Sequence, residues 1–286
     1  MWGPHRIAVA AVGAEPEDAI PWAPSLLVGD ASVSSRATHC AVRPPFARHP
    51  PAPEDRPLAA SSPTARPTPA STPTWMWVGV VVVSGAWAVM FHTDALSLLA
   101  AGAIVGVALF AMALAARRND QAPSWQAGTD IWLALPVLAV HLAVSYLAIP
   151  IATAILPLVG DQAVALVATA TTQLPAWLVA LVSAMVVAPM EEDFWRGTVQ
   201  PRIGKRADGL DMATDRVGGT VSWRAILLTT AVFGLFHVPT LNIPLVGASL
   251  LGGIAWGWLR ARTGGMVAPV LAHGGWTATM ALVPPI

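Results

Sequence analysis

From Trp75 onward the chain alternates long apolar stretches with short polar ones. Trp75 to Phe91, Ala95 to Ala116, Ile131 to Ile149, Ala225 to Pro239, Ile243 to Leu259 and Gly264 to Val283 contain no Asp, Glu, Lys or Arg. Each approaches the roughly 20 residues with which an α-helix crosses the hydrocarbon layer. Between Ile151 and Pro201 one or two further segments fit, with breaks at Pro157 and Pro175, and Asp161 is the only charged residue there before Glu191. The pattern predicts an all-α fold, a polytopic transmembrane helical bundle of about seven spans, or eight if the middle stretch crosses twice.

Residues 1–74 follow no such period. They are crowded with Pro, Ala, Ser and Arg, and a segment of that composition neither holds a helix nor buries a core. They are expected to form a disordered cytoplasmic tail, leaving 75–286 as the transmembrane domain. The apolar stretch near the N-terminus, Ile7 to Val12, is shorter than the hydrophobic region of a secretory signal.

Composition agrees with a bilayer protein: 55% of residues are hydrophobic and 11% charged, with a mean hydropathy of +0.60. The 13 tryptophans fit as well, because indole favours the headgroup boundary, and Trp75, Trp77, Trp132, Trp223 and Trp258 fall near the ends of apolar runs. A formal net charge of zero provides no field for nucleic acid, and the single cysteine, Cys40, rules out an internal disulfide. The placement of charge is more informative than its sum. Of the 16 Lys and Arg residues, six lie in the tail, and the rest cluster at Arg117–Arg118, between Arg196 and Arg224, and at Arg260 and Arg262. The intervening loops carry none, so the positive-inside rule places the N-terminus in the cytoplasm. The stretch Arg202 to Thr220 reads as a flexible polar connector on the same side.

Three places in the apolar half carry chemistry. In Pro189-Met190-Glu191-Glu192-Asp193-Phe194-Trp195-Arg196 three acids follow an apolar run abruptly. Read by hydropathy alone, they are the solvated cytoplasmic end of a span. On a helix, however, Glu192 and Arg196 stand four apart and can pair, which leaves Glu191 turned by about 100° toward another surface. His237 lies late in the next span, one turn after Phe233, and His273 lies midway along the last, with Thr277 one turn on and Gly274 and Gly275 allowing close backbone approach. A single histidine in a span is more often an interhelical hydrogen bond than a catalyst, and His92 and His141 are read that way. Taken together, Glu191, His237 and His273 suit hydrolysis, in which a carboxylate and an imidazole take a proton from water while other donors stabilise an oxyanion. The same three groups are a possible zinc set, although no HExxH helix is present. A proton-coupled transporter would also place Glu and His within spans, but the sequence shows no paired halves or inverted repeats.

Over roughly Met185 to Met280, within a protease-like core of about residues 174–286, these strings resemble the CAAX protease and bacteriocin-processing family of intramembrane endopeptidases, whose motifs are EExxxR, FxxxH and HxxxN or HxxxD. Glu191, Glu192 and Arg196 fit the first, Phe233 and His237 the second, and His273 the third, in the family's order and on separate spans. The resemblance implies a helical fold around a membrane-embedded cavity, with no metal favoured. It implies that Glu191 and His237 activate the attacking water, that Glu192 and Arg196 hold the first motif in place, and that His273 helps bind the oxyanion. It further implies a multi-pass protein of a bacterial plasma membrane, in contact with lipid, whose substrate is an unmodified membrane-proximal or bacteriocin-like peptide. One position departs from the pattern. Thr277 stands where the family has Asn or Asp, which leaves open a non-proteolytic peptide-binding or immunity protein on the same fold.

Overall fold

Backbone polar groups inside a bilayer must be satisfied within the chain, and the apolar stretches accordingly fold as helices. The computed structural model describes residues 73–93, 97–117, 125, 131–171, 174–208, 216–217 and 220–285, all within the compact unit that begins at Ala65. The expected tail, except for residues 73 and 74, lies outside the described residues, as does much of the Arg202 to Thr220 connector. The helices are α1 (Thr74–Thr93), α2 (Leu98–Ala116), α3 (Ala134–Ile155, entered through a 3-10 turn), α4 (Pro157–Thr171), α5 (Ala176–Val182), α6 (Ala188–Phe194), α7 (Gln200–Asp208), α8 (Trp223–His237), α9 (Ile243–Thr263) and α10 (Val267–Leu282). Within the connector, β1 (Arg216–Val217) and β2 (Thr220–Val221) pair antiparallel.

Every predicted span is helical, but not every one is full length. Among the described residues α1, α2, α3 with its entry turn, and α9 are long and apolar enough to cross a membrane, and α4 with the helix from Ala176 to Lys205 passes only as a bent pair. The segments expected at Ala225 to Pro239 and Gly264 to Val283 form helices of 15 and 16 residues, about 23 Å each against a hydrocarbon thickness of about 30 Å. Pro239 explains one shortfall: it has no amide hydrogen to continue α8, which gives way to a 3-10 turn at Val238–Thr240. In contrast α3 outruns its predicted end, carrying Pro150 inside and reaching Ile155.

Helix ends are set by local chemistry. Ser97, Ser222 and Asn242 cap α2, α8 and α9 by accepting backbone N–H bonds from Ala100, Ala225 and Leu245. Gly264, at φ 70°, closes α9, whose last turn also carries Arg260 and Arg262. Gln162 of α4 clamps the α8–α9 turn: its side chain donates to the Leu241 carbonyl and accepts from the Ile243 N–H, and its own carbonyl accepts from Asn242. The helices pack α1 on α2, α8 on α9, and α10 against α5, α9 and α3. Val78, Val81, Ile104, Leu135, Leu147 and Ile155 point outward and are exposed, as lipid-facing residues should be. Of the tryptophans expected at the boundary, Trp75, Trp132 and Trp223 are exposed, whereas Trp77 and Trp258 pack against the core.

Candidate active site

Glu191 and Glu192 do not end a helix. From Ala176 to Asp208 one rod runs through α5, a π turn at Ser183–Val187, α6, a second π turn at Trp195–Val199, and α7. The acids therefore sit inside it, and the rod continues beyond Pro201. It runs parallel to α2. A Cβ built on Gly106 would stand 3.5 Å from the Met190 side chain, and farther along Arg202 donates to the Ala116 carbonyl at 2.8 Å. Gly106 is near the midpoint of α2, so the glutamates lie at mid-height of the bundle and not at its surface. The hydropathy reading of a solvated span end is corrected accordingly. What hydropathy misses is that Phe194, Trp195 and Val199 are fully buried, and that Glu192, Asp193 and Arg196 are each paired inside the bundle.

Those partners were only half visible in the sequence. Glu192 is fully buried, and its Oε1 accepts from Arg196 Nη1 at 3.0 Å and from His273 Nδ1 at 2.9 Å. The Arg196 guanidinium lies over the Phe233 ring at 4.7 Å and the Trp256 ring at 5.3 Å from their centroids. Two aromatic faces and one carboxylate thus stand in for water around a cation with no solvent exposure. Asp193 is claimed by Arg117, the residue that ends α2, through a two-pronged pair of side-chain bonds. With Asp193 and Glu192 both occupied, Glu191 is the carboxylate that faces open space.

That space is a cavity of about 230 Å³ lined by Glu191, His237, His273, Phe233, Trp256 and Thr277 together with apolar residues of α2, α4 and α9. Val179, Ser183, Val187 and Glu191 all border it at a constant four-residue spacing. A regular α-helix would drift by about 40° at each such step, and the wider π turn removes much of that drift. His273 Nε2 is 3.9 Å from Glu191 Oε2. His237 donates from Nδ1 to the Phe233 carbonyl at 2.9 Å, which leaves Nε2 of the neutral ring as an acceptor. Its ring also meets Phe233 edge to face, with centroids 4.9 Å apart. The groups foreseen on three separate spans therefore border one volume.

Other details depart from expectation. Thr277 lines the cavity, but its hydroxyl bonds back to the His273 and Gly274 carbonyls, each at 3.1 Å. His141 is buried, and neither ring nitrogen finds a hydrogen-bond partner. The interhelical bond expected of it is replaced by stacking on Trp276, with centroids 5.0 Å apart and planes 8° from parallel. His92 does reach across, to the Pro239 carbonyl at 3.3 Å. Among the described residues no group of three His, Cys, Asp or Glu side chains is arranged to hold a metal ion. Trp256 and Arg117 complete the site and were not foreseen. Both are distant in sequence from the motifs, and Trp256 is one tryptophan among 13.

No curated protein and no solved structure matches the chain. Residues 173–279 match the family described as Rce1-like: Type II CAAX prenyl endopeptidase Rce1-like. The matched segment runs from just before α5 to near the end of α10 and contains every motif residue named above. Residues 173–279 of this helical integral membrane protein therefore form an Rce1-like domain, of the intramembrane CAAX-protease family that the sequence resembles.

Proposed function

We propose that the chain is an endopeptidase that hydrolyses a peptide bond inside the membrane with water activated by Glu191 and His237. One observation carries this reading: Glu191, His237 and His273, from three separate helices, border one cavity, and Glu191 is the acid of its cluster not engaged by an arginine. A water between Glu191 and His237 Nε2 gives up a proton to this pair as its oxygen adds to the substrate carbonyl carbon. The oxyanion that forms is met by His273. Because His273 already donates from Nδ1 to Glu192, donation from Nε2 as well requires the cationic ring. Collapse breaks the C–N bond, and the proton taken from water passes to the departing amine. Substrate reaches the cavity as an unmodified, membrane-proximal peptide segment, and the basic loops face the cytoplasm.

Comparing terminal peptides in membranes from a deletion strain, a wild-type complement and a Glu191→Ala complement tests this. The expected result is a protein whose new terminus appears only with the wild type. A cellular phenotype fully restored by Glu191→Ala sinks the protease reading. It would favour the alternative of a peptide-binding or immunity protein, to which the back-bonded Thr277 hydroxyl lends support, because it supplies no free donor where the family has an amide or carboxyl. Purified protein stripped with chelator is expected to keep cleaving.

A further inference from the structure

We infer that Trp256 is a positioning residue that fixes the planes of His273 and Arg196, a role resting on the protease reading above. A single hydrogen bond fixes a point on a ring but not its plane. His273 has one such bond, from Nδ1 to Glu192 Oε1 at 2.9 Å, about which the imidazole is free to turn. Trp256 removes that freedom: the two rings stack with centroids 3.8 Å apart and planes 14° from parallel. With both constraints in place, Nε2 is directed at Glu191 Oε2, 3.9 Å away. The same indole meets the Arg196 guanidinium at 5.3 Å, opposite a cation that also has one side-chain hydrogen bond, to that same Glu192 oxygen. Glu192 and Trp256 thus each touch both Arg196 and His273 and close a four-membered ring of contacts around the cavity wall.

Two further observations show that the faces of this indole matter and not its N–H. Its Nε1 is buried without a hydrogen-bond partner. Beneath it lies Gly252, where a Cβ would come within 2.5 Å of the indole, so the glycine leaves room for the ring to lie back along α9. His141 abuts the same ring edge to face, with centroids 5.5 Å apart, and braces it from α3.

The test uses full-length Trp256→Leu, Trp256→Ala and Trp256→Phe proteins, with Glu191→Ala as reference, in detergent or nanodiscs. The substrate is a quenched fluorogenic peptide spanning the cleavage site mapped by the terminal-peptide comparison. Loss of the plane constraint is expected to lower kcat about 100-fold in Trp256→Leu and Trp256→Ala with KM unchanged, and Trp256→Phe is expected to recover most of it. Leu keeps the apolar bulk, so its comparison with Phe decides the matter if the Ala variant does not fold. A readout independent of turnover is the ring-current shift of the His273 carbon-bound protons, assigned by their absence in His273→Gln. It should collapse in Trp256→Leu and return in Trp256→Phe. Wild-type kcat in Trp256→Leu, a raised KM with unchanged kcat, or an unmoved His273 resonance overturns the positioning role. A Glu191→Ala protein as active as wild type overturns the protease reading instead and leaves the resonance to decide the role of Trp256.

Discussion

Glu191 and Glu192 are neighbours in sequence with opposite obligations. Glu192 is tied into a buried ion pair, so Arg196→Ala, which strands its carboxylate, is expected to destabilise the protein by about 3–5 kcal/mol. Arg196→Ala with Glu192→Gln should recover part of that loss, as measured by melting in detergent. Glu191 has no such tie. Glu191→Gln is expected to leave the melting temperature unchanged and to lower turnover by about 100-fold or more. A stability loss in Glu191→Gln equal to that of Arg196→Ala would contradict this division of labour. The division is legible in the sequence, because a four-residue spacing on one helix lets Glu192 pair with Arg196 and turns Glu191 away. The other half of the site is not. Nothing local tells Asp193 to seek Arg117, 76 residues earlier, nor singles out Trp256 on a helix that also carries Trp258.

At the scale of elements, the site depends on how closely α10 approaches the rod that carries the acids. A Cβ on Gly274 would stand 2.9 Å from the Ala184 carbonyl oxygen and 3.2 Å from its Cα, and backbone cannot step aside as a flexible side chain can. Gly274→Ala is therefore expected to destabilise by about 1–3 kcal/mol and to draw His273 away from Glu191, lowering turnover. Gly85→Ala, with nothing within 4 Å of the new methyl, should be neutral or stabilising by roughly 0.5–1 kcal/mol. Equal effects of the two changes on melting and cleavage would remove close approach as the cause. The glycines were visible in sequence as a means of close approach, but their contacts were not: Gly274 meets backbone, whereas Gly275 meets the Leu138 side chain. Helix existence was also legible, since apolar length predicts it directly. The shortness of α8 was hidden, and the continuation of the rod past its acids follows from the sequence only through the need for Glu191 to reach His237 and His273, because burial by aromatic and charged partners is a tertiary property that hydropathy does not record.

For the molecule as a whole, the distribution of basic residues sets a testable orientation. In a Cys40→Ser background, Asp161→Cys is expected to react with an impermeant thiol reagent added outside the cell, and Arg262→Cys only after the membrane is opened; both positions are exposed. The reverse pattern would overturn the orientation read from the basic loops. All residues bordering the cavity fall between Trp87 and Ala281, so the part of the chain that carries chemistry is also the part whose spacing is least free to change. The π turn at Ser183–Val187 makes this specific. Such a turn accommodates one residue more than an α-helical turn, and deleting Ala184 lets the rod relax to regular geometry. Everything beyond it would then keep its phase relative to α5, whereas one alanine inserted after Ala184 exceeds what the turn accommodates and rotates everything beyond it by about 100°, carrying the Glu191 carboxylate out of the cavity although no motif residue had been altered. Residue number along this helix is thus as much a part of the catalytic apparatus as residue identity: a one-codon deletion within the π turn should leave most of the activity, and a one-codon insertion there should abolish it as completely as loss of the glutamate itself.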